Sequence, residues 1–181
     1  MSRYRKPGNN CFARNTKVLV VDSTNGTTKT IPIEKLRAGD TIKTLQGKNK
    51  VVRTVLKCYT DQAKGRTMTM ITTNAATSLW VTPWHPMSQD GGTWFFPAEA
   101  YLEEKYPEMV KTGFTGPVYA VQLERQPEDV ANDHAINVEG LWGATMGHGL
   151  TSEDGIEVSN VRVHEFYGDW DAVARSLDRL P

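Results

Sequence analysis

The chain is poor in cysteine, in net charge and in long apolar runs, and each shortage excludes something. With only Cys11 and Cys58 among 181 residues it has no disulfide framework of the kind that staples small secreted scaffolds, so a Cys11–Cys58 bridge is not expected. The same shortage leans toward a reducing, intracellular setting. Lysine plus arginine balances aspartate plus glutamate at 21 each with no block of one sign, which argues against nucleic acid or a membrane surface as a partner. No run approaches the roughly 20 apolar residues that cross a bilayer, and residues 1–10 lack the apolar stretch of a signal peptide. No His/Cys spacing matches a tetrahedral zinc site, so no metal or other cofactor is expected.

What is present reads as a folded domain, with 39% hydrophobic and 23% charged residues. From residue 16 the pattern is strand after strand: "TKVLVVD", "TKTIPIEKL", "GDTIKTL" and "KVVRTVLKCYT", broken by turn signals. The Asn25-Gly26 pair in "STNGTT" is a strong hairpin signal. "GRTMTMITTN", "TSLWVTPWHPM", "GGTWFFP", "GPVYAVQLE" and "DHAINVEGLWGATM" continue the strand pattern. Only "AEAYLEEKY", stopped by Pro107, and the tail "FYGDWDAVARSLDRL" read as helix. In the tail, aspartates precede Trp170, Val173, Ala174 and Leu177 at helical spacing. The composition is that of an all-β protein with little helix.

Cys11 stands on a boundary. Before it, Met1 to Asn10 are mostly basic, polar or turn-forming; soon after it the chain becomes apolar and β-branched. The four histidines, His85, His134, His148 and His164, are the scarce titratable groups. His85 lies in "VTPWHP", where two prolines fix the backbone around one imidazole. On residue type alone, a histidine among aromatics is more often a hydrogen-bonded structural residue, and Thr82 before it means little. Cys58, in an apolar run, reads as a small core residue.

Taken in order, "CFARNTKVLVVD", "IPIEKLRAGDTI", "LWVTPWHP" and "VYAVQLE…HAINVEGLWGATMGHG" resemble a Hint domain, the autoprocessing fold of Hedgehog C-terminal domains and inteins. "TPWHP", "MGHGL" and "VHEFYGD" look most like the Hint domains attached to von Willebrand factor A proteins. The resemblance implies a horseshoe-like, pseudo-twofold all-β fold over residues 11–150. It would be preceded by an extein-like leader, 1–10, and followed by a C-terminal extension with a helix, 151–181, in which His164 is structural. It also implies that Cys11 attacks the Asn10 carbonyl and turns the Asn10–Cys11 amide into a thioester. His85 would be the general acid for the departing nitrogen, and Thr82 would hydrogen-bond the scissile peptide. The partner is then the chain's own leader in cis, with an upstream von Willebrand factor A-like domain and an unidentified acceptor nucleophile.

The second half of intein chemistry fits less well. Splicing inteins end in His-Asn before a nucleophile, whereas this chain has His148-Gly149-Leu150, so asparagine cyclisation and splicing are not expected. The usual intein aspartate is Ala120 here. His134 and His148 would line the site without the terminal asparagine they would serve. The tail does not resemble a sterol-recognition region. The expectation is therefore single-turnover self-cleavage, with the thioester passing to water or another nucleophile. Two other readings stand beside it: a silent Hint scaffold acting as an interaction module, and a trans-acting thiol hydrolase using Cys11 and His85.

Overall fold

The computed structural model describes residues 11–59, 68–74, 77–104, 109–114, 116–150 and 168–179. Asn10, Pro107 and His164 lie outside the described residues. The first strands are β1 (Phe12–Ala13), β2 (Lys17–Val21), β3 (Thr28–Pro32), β4 (Thr41–Lys43) and β5 (Asn49–Tyr59). Then come β6 (Met68–Asn74), β7 (Thr77–Val81), β8 (Met87–Ser88), β9 (Trp94–Phe95) and helix α1 (Pro97–Leu102). β10 (Val110–Phe114), β11 (Pro117–Leu123), β12 (Ala135–Val138), β13 (Leu141–Ala144) and helix α2 (Trp170–Leu177) complete the order. The all-β expectation with a short C-terminal helix holds.

Among the described residues the strands form one 13-stranded sheet in the order β10-β6-β7-β1-β11-β5-β4-β2-β12-β13-β8-β9, with β3 on β2. β5 is the seam: Asn49 to Val51 pair with β4, and Val52 to Tyr59 pair with β11. The β5–β11 register slips between Gln122 and Leu123. Such a slip bends a strand and increases its twist, in keeping with a sheet curled into a half-barrel. β11, flanked by β1 and β5, is buried from Val118 to Leu123, which is why "VYAVQL" runs almost wholly apolar instead of alternating.

The Asn25-Gly26 signal does close a hairpin, β2–β3, but through a longer loop than a two-residue turn. Gly26 takes φ +72°, the Asn25 side chain accepts from the Thr27 N–H at 3.0 Å, and Asp22 N–H bonds the Thr27 carbonyl at 2.8 Å. α1 opens with Pro97, whose missing N–H costs nothing there. It ends at Leu102, and Glu104 turns left-handed at φ 52°. α2 is capped by the Asp169 carboxylate, which accepts from the Ala172 N–H at 3.0 Å.

The main core gathers Phe12, Val18, Ile33, Ile42, Leu79 and Ile136 among others. A second cluster is the one that matters for function. Cys11, Ala13, Cys58, Val118, Ala120 and Met146 pack there with Val173 and Leu177 of α2, so the C-terminal helix shares the buried cluster of Cys11. Both cysteines are buried, and no disulfide joins them.

Candidate active site

Register brings the first elements together. Phe12 of β1 pairs with Val81 of β7 on one side and Tyr119 of β11 on the other. One residue further out, Cys11 therefore faces Thr82. The threonine holds residue 11 at both ends. Its Oγ1 accepts from the Cys11 N–H at 3.1 Å and donates to the Cys11 carbonyl at 3.2 Å. The Thr82 N–H also donates to that carbonyl, at 3.0 Å.

The spacing from Thr82 to His85 is one turn. His85 N–H bonds the Thr82 carbonyl at 3.2 Å, with Pro83 in the second position, where its fixed φ suits a β-turn. The turn carries the His85 ring back over β1, 4.2 Å between ring centroids from Phe12. Phe12 in turn lies against Gly143, where a Cβ would stand 2.7 Å from the ring edge. Nε2 of His85 donates to the Ala144 carbonyl at 2.6 Å. A carbonyl only accepts, so Nε2 carries the proton and Nδ1 is the basic nitrogen. Nδ1 is buried with no hydrogen bond of good geometry. Burial lowers the His85 pKa to about 4, against smaller opposing effects of the Ala144 and Cys11 main chains. At neutral pH the ring is uncharged.

His134 and His148 form a neighbouring group. His148 is buried, and its Nδ1 accepts the Leu150 N–H at 2.9 Å. Its pKa falls to about 3, first through burial and then through His85 and His134 nearby. Gly149, at φ +69°, bonds through its N–H to the Gly168 carbonyl at 2.9 Å. His134 ends a short helical turn, Ala131–His134, with Nε2 3.2 Å from Asp129 Oδ2. That oxygen also accepts from the Gln126 N–H at 2.9 Å and pairs with the buried Lys50 ammonium. Burial works to raise the Asp129 carboxyl, but the Gln126 N–H and Lys50 overcome it and hold the group below the usual range. The His134 pKa is lowered by burial and by Lys50, with Asp129 opposing.

Cys11, Thr82 and His85 thus form one centre, whereas His148 and His134 form a second group beside it. Neither Asp129 nor Lys50 stands out in the sequence by type. The signal present there was position: Asp129, Asp133 and His134 fall within "DVANDH", and Lys48 and Lys50 alternate in "KNK". Trp170, in the expected helix, has a further role: its backbone packs on Gly147, where an added Cβ would come within 2.6 Å of the Trp170 Cα. Among the described residues no group of three or more His, Cys, Asp or Glu is arranged to hold a metal.

A 2.0 Å crystal structure of a DnaB intein from Synechocystis sp. PCC 6803 is similar to this chain with a TM-score of 0.52. The identity is 12%, and the match covers 76% of this chain and 99% of the intein. The profile of Vint, a Hint-domain family, matches residues 10–181. The chain belongs to this Hint-domain family. No curated protein sequence shows significant similarity to it.

Proposed function

We propose that this domain processes itself in cis through an N–S acyl shift at Asn10–Cys11. The observation that carries the reading is the placement of Cys11: its amide nitrogen is held by Thr82 Oγ1, and the basic, uncharged His85 ring lies beside its main chain. The thiol sulfur attacks the Asn10 carbonyl carbon, the C–S bond forms and the C–N bond breaks. Because the His85 ring is neutral, it first takes the thiol proton on Nδ1 and then delivers it to the departing Cys11 nitrogen. Thr82 pins that nitrogen during the transfer. Gly149 offers no side-chain amide and Leu150 no nucleophile, so the sequence of steps ends in cleavage of the thioester rather than splicing. The segment released is residues 1–10 with whatever domain precedes them, a von Willebrand factor A-like domain by the sequence resemblance.

One observation favours a silent scaffold instead: Cys11 is wholly buried. Intact mass over time separates the two readings. Self-processing predicts loss of residues 1–10, acceleration by dithiothreitol or hydroxylamine, independence from protein concentration, and no loss in Cys11→Ala. A mass that never changes under any of these conditions leaves the scaffold reading. A rate that rises with protein concentration points to trans hydrolysis.

A further inference from the structure

The Asp129–His134 pair is not used by the acyl shift, yet it is built like an acid–base unit. Asp129 Oδ2 collects the Gln126 N–H, the Lys50 ammonium and His134 Nε2, which fixes the carboxylate as an anion and the proton of His134 on Nε2. Nδ1 of His134 is left as the basic nitrogen, buried and without a protein hydrogen-bond partner among the described residues. An orphaned buried ring nitrogen is costly, and a purely structural histidine would avoid it. The residue is 3% exposed and lines a pocket of about 590 Å³, together with Asp129, His148 and Gly168 to Trp170 of the C-terminal segment.

The pocket adjoins the Cys11 centre through one short stretch. Met146 packs in the cluster around Cys11, and Gly147 and His148 pass directly into the pocket wall. The apolar side chains of the pocket are Val130, Ala131 and Trp170, too few to enclose a sterol. Polar walls beside a neutral base suit a small hydroxylic molecule, whose oxygen is a poor nucleophile until its proton is removed.

We propose that this pocket admits the hydroxylic acceptor of the thioester, with water as its simplest case, and that His134, positioned by Asp129, removes the acceptor's proton. The inference rests on the thioester reading above. The acceptor oxygen attacks the Asn10 carbonyl carbon, the new C–O bond forms and the C–S bond breaks. His134 Nδ1 takes the hydroxyl proton, and the imidazolium returns a proton through solvent to the departing Cys11 thiolate. Asp129 touches no reacting atom and acts by holding the tautomer.

The test follows hydrolysis of residues 1–10 by mass in wild type, His134→Ala and Asp129→Asn, with hydroxylamine as a nucleophile that needs no base. His134→Ala is expected to slow hydrolysis about 10²-fold while the thioester still accumulates and is cleaved by hydroxylamine. Added imidazole is expected to restore part of the loss. Asp129→Asn should move the midpoint of the hydrolysis pH profile downward, since an anion beside the imidazole is lost. The other charged or titratable groups around that ring are Asp133, Lys48, Lys50, Arg125, His148 and Asp169. Unchanged hydrolysis in His134→Ala overturns the inference, as does a loss that hydroxylamine shares and imidazole leaves in place. A wild type with no hydroxylamine-labile adduct overturns the thioester reading and this inference together, whereas a labile adduct with unaffected hydrolysis overturns only this one.

Discussion

Two buried histidines, His85 and His134, sit in surroundings of opposite character. Around His85 the ring meets the Ala144 carbonyl and the Phe12 ring, beside a Cys11 main chain held by the Thr82 hydroxyl. Around His134 the partners are a carboxylate and, behind it, two lysines. Yet both rings are biased toward the uncharged form, both for the same first reason, burial. The difference lies in what holds the tautomer. A carbonyl fixes His85 with no charge nearby, which suits a proton that is only borrowed and passed over a short path. An anion fixes His134, which stabilises the imidazolium once formed and suits a proton drawn from a weakly acidic hydroxyl.

The sharpest way to break this comparison is to remove each ring in turn. His85→Ala should reduce thioester formation about 10²–10⁴-fold, read as the rate at which hydroxylamine releases residues 1–10. His134→Ala should spare that rate and act only afterwards. If both variants lose thioester formation equally, the two regions are one site and the division fails.

A smaller effect is expected where the two regions meet. Gly147 has φ +78°, and a Cβ there would lie 2.6 Å from the Cα of Trp170. The indole cannot yield easily: its Nε1–H bonds the Leu123 carbonyl at 2.7 Å, and the Arg53 and Arg125 guanidiniums lie 5.4 and 4.7 Å from the ring centroid. Gly147→Ala should therefore destabilise the fold by about 3 kcal/mol, from left-handed strain and overpacking against backbone, measured by urea denaturation. A change under about 0.5 kcal/mol would mean that the C-terminal segment lies loosely on the site.

How much of this was legible follows from the kind of signal involved. Cys11, Thr82 and His85 could be singled out together only through the order of the family motifs, because on residue type alone Thr82 means little and a histidine among aromatics reads as structural. The β12–β13 hairpin was read only as continued strand, although Glu139 and Gly140, both at positive φ, make its turn. The Ala144 carbonyl that fixes His85 was beyond reach, since any residue supplies a carbonyl and only sheet register brings it there. Lys50 and Asp129 escaped for a related reason. They are 79 residues apart, and a lysine beside a turn at Gly47 reads as a solvated charge until the fold buries it. The helix of the tail was visible from its spacing, but that Val173 and Leu177 share the buried cluster of Cys11 was not.

The last expected effect concerns acid, and its sign follows from the histidines themselves. His85 and His148 bind protons with pKa values of about 4 and about 3 in the folded chain, below the value of about 6.5 for an unfolded histidine. Between these limits the unfolded chain binds more protons than the folded one, so the stability these groups contribute is complete above about pH 6.5 and drains away as the pH falls. Each group loses about 1.4 kcal/mol per pH unit inside that window, so the pair should cost on the order of 2 kcal/mol between about pH 7.5 and about pH 5.5. Carboxylates held below their usual range, such as Asp129, add their loss only in stronger acid. Denaturant midpoints across that range measure the slope. His85→Gln should remove only its own share of the slope, since His148 and His134 also bind protons more weakly in the folded chain, at unchanged denaturant m-value, because glutamine does not titrate. A flat profile in the wild type would show that these rings titrate as in the unfolded chain, against the burial that the structure gives them.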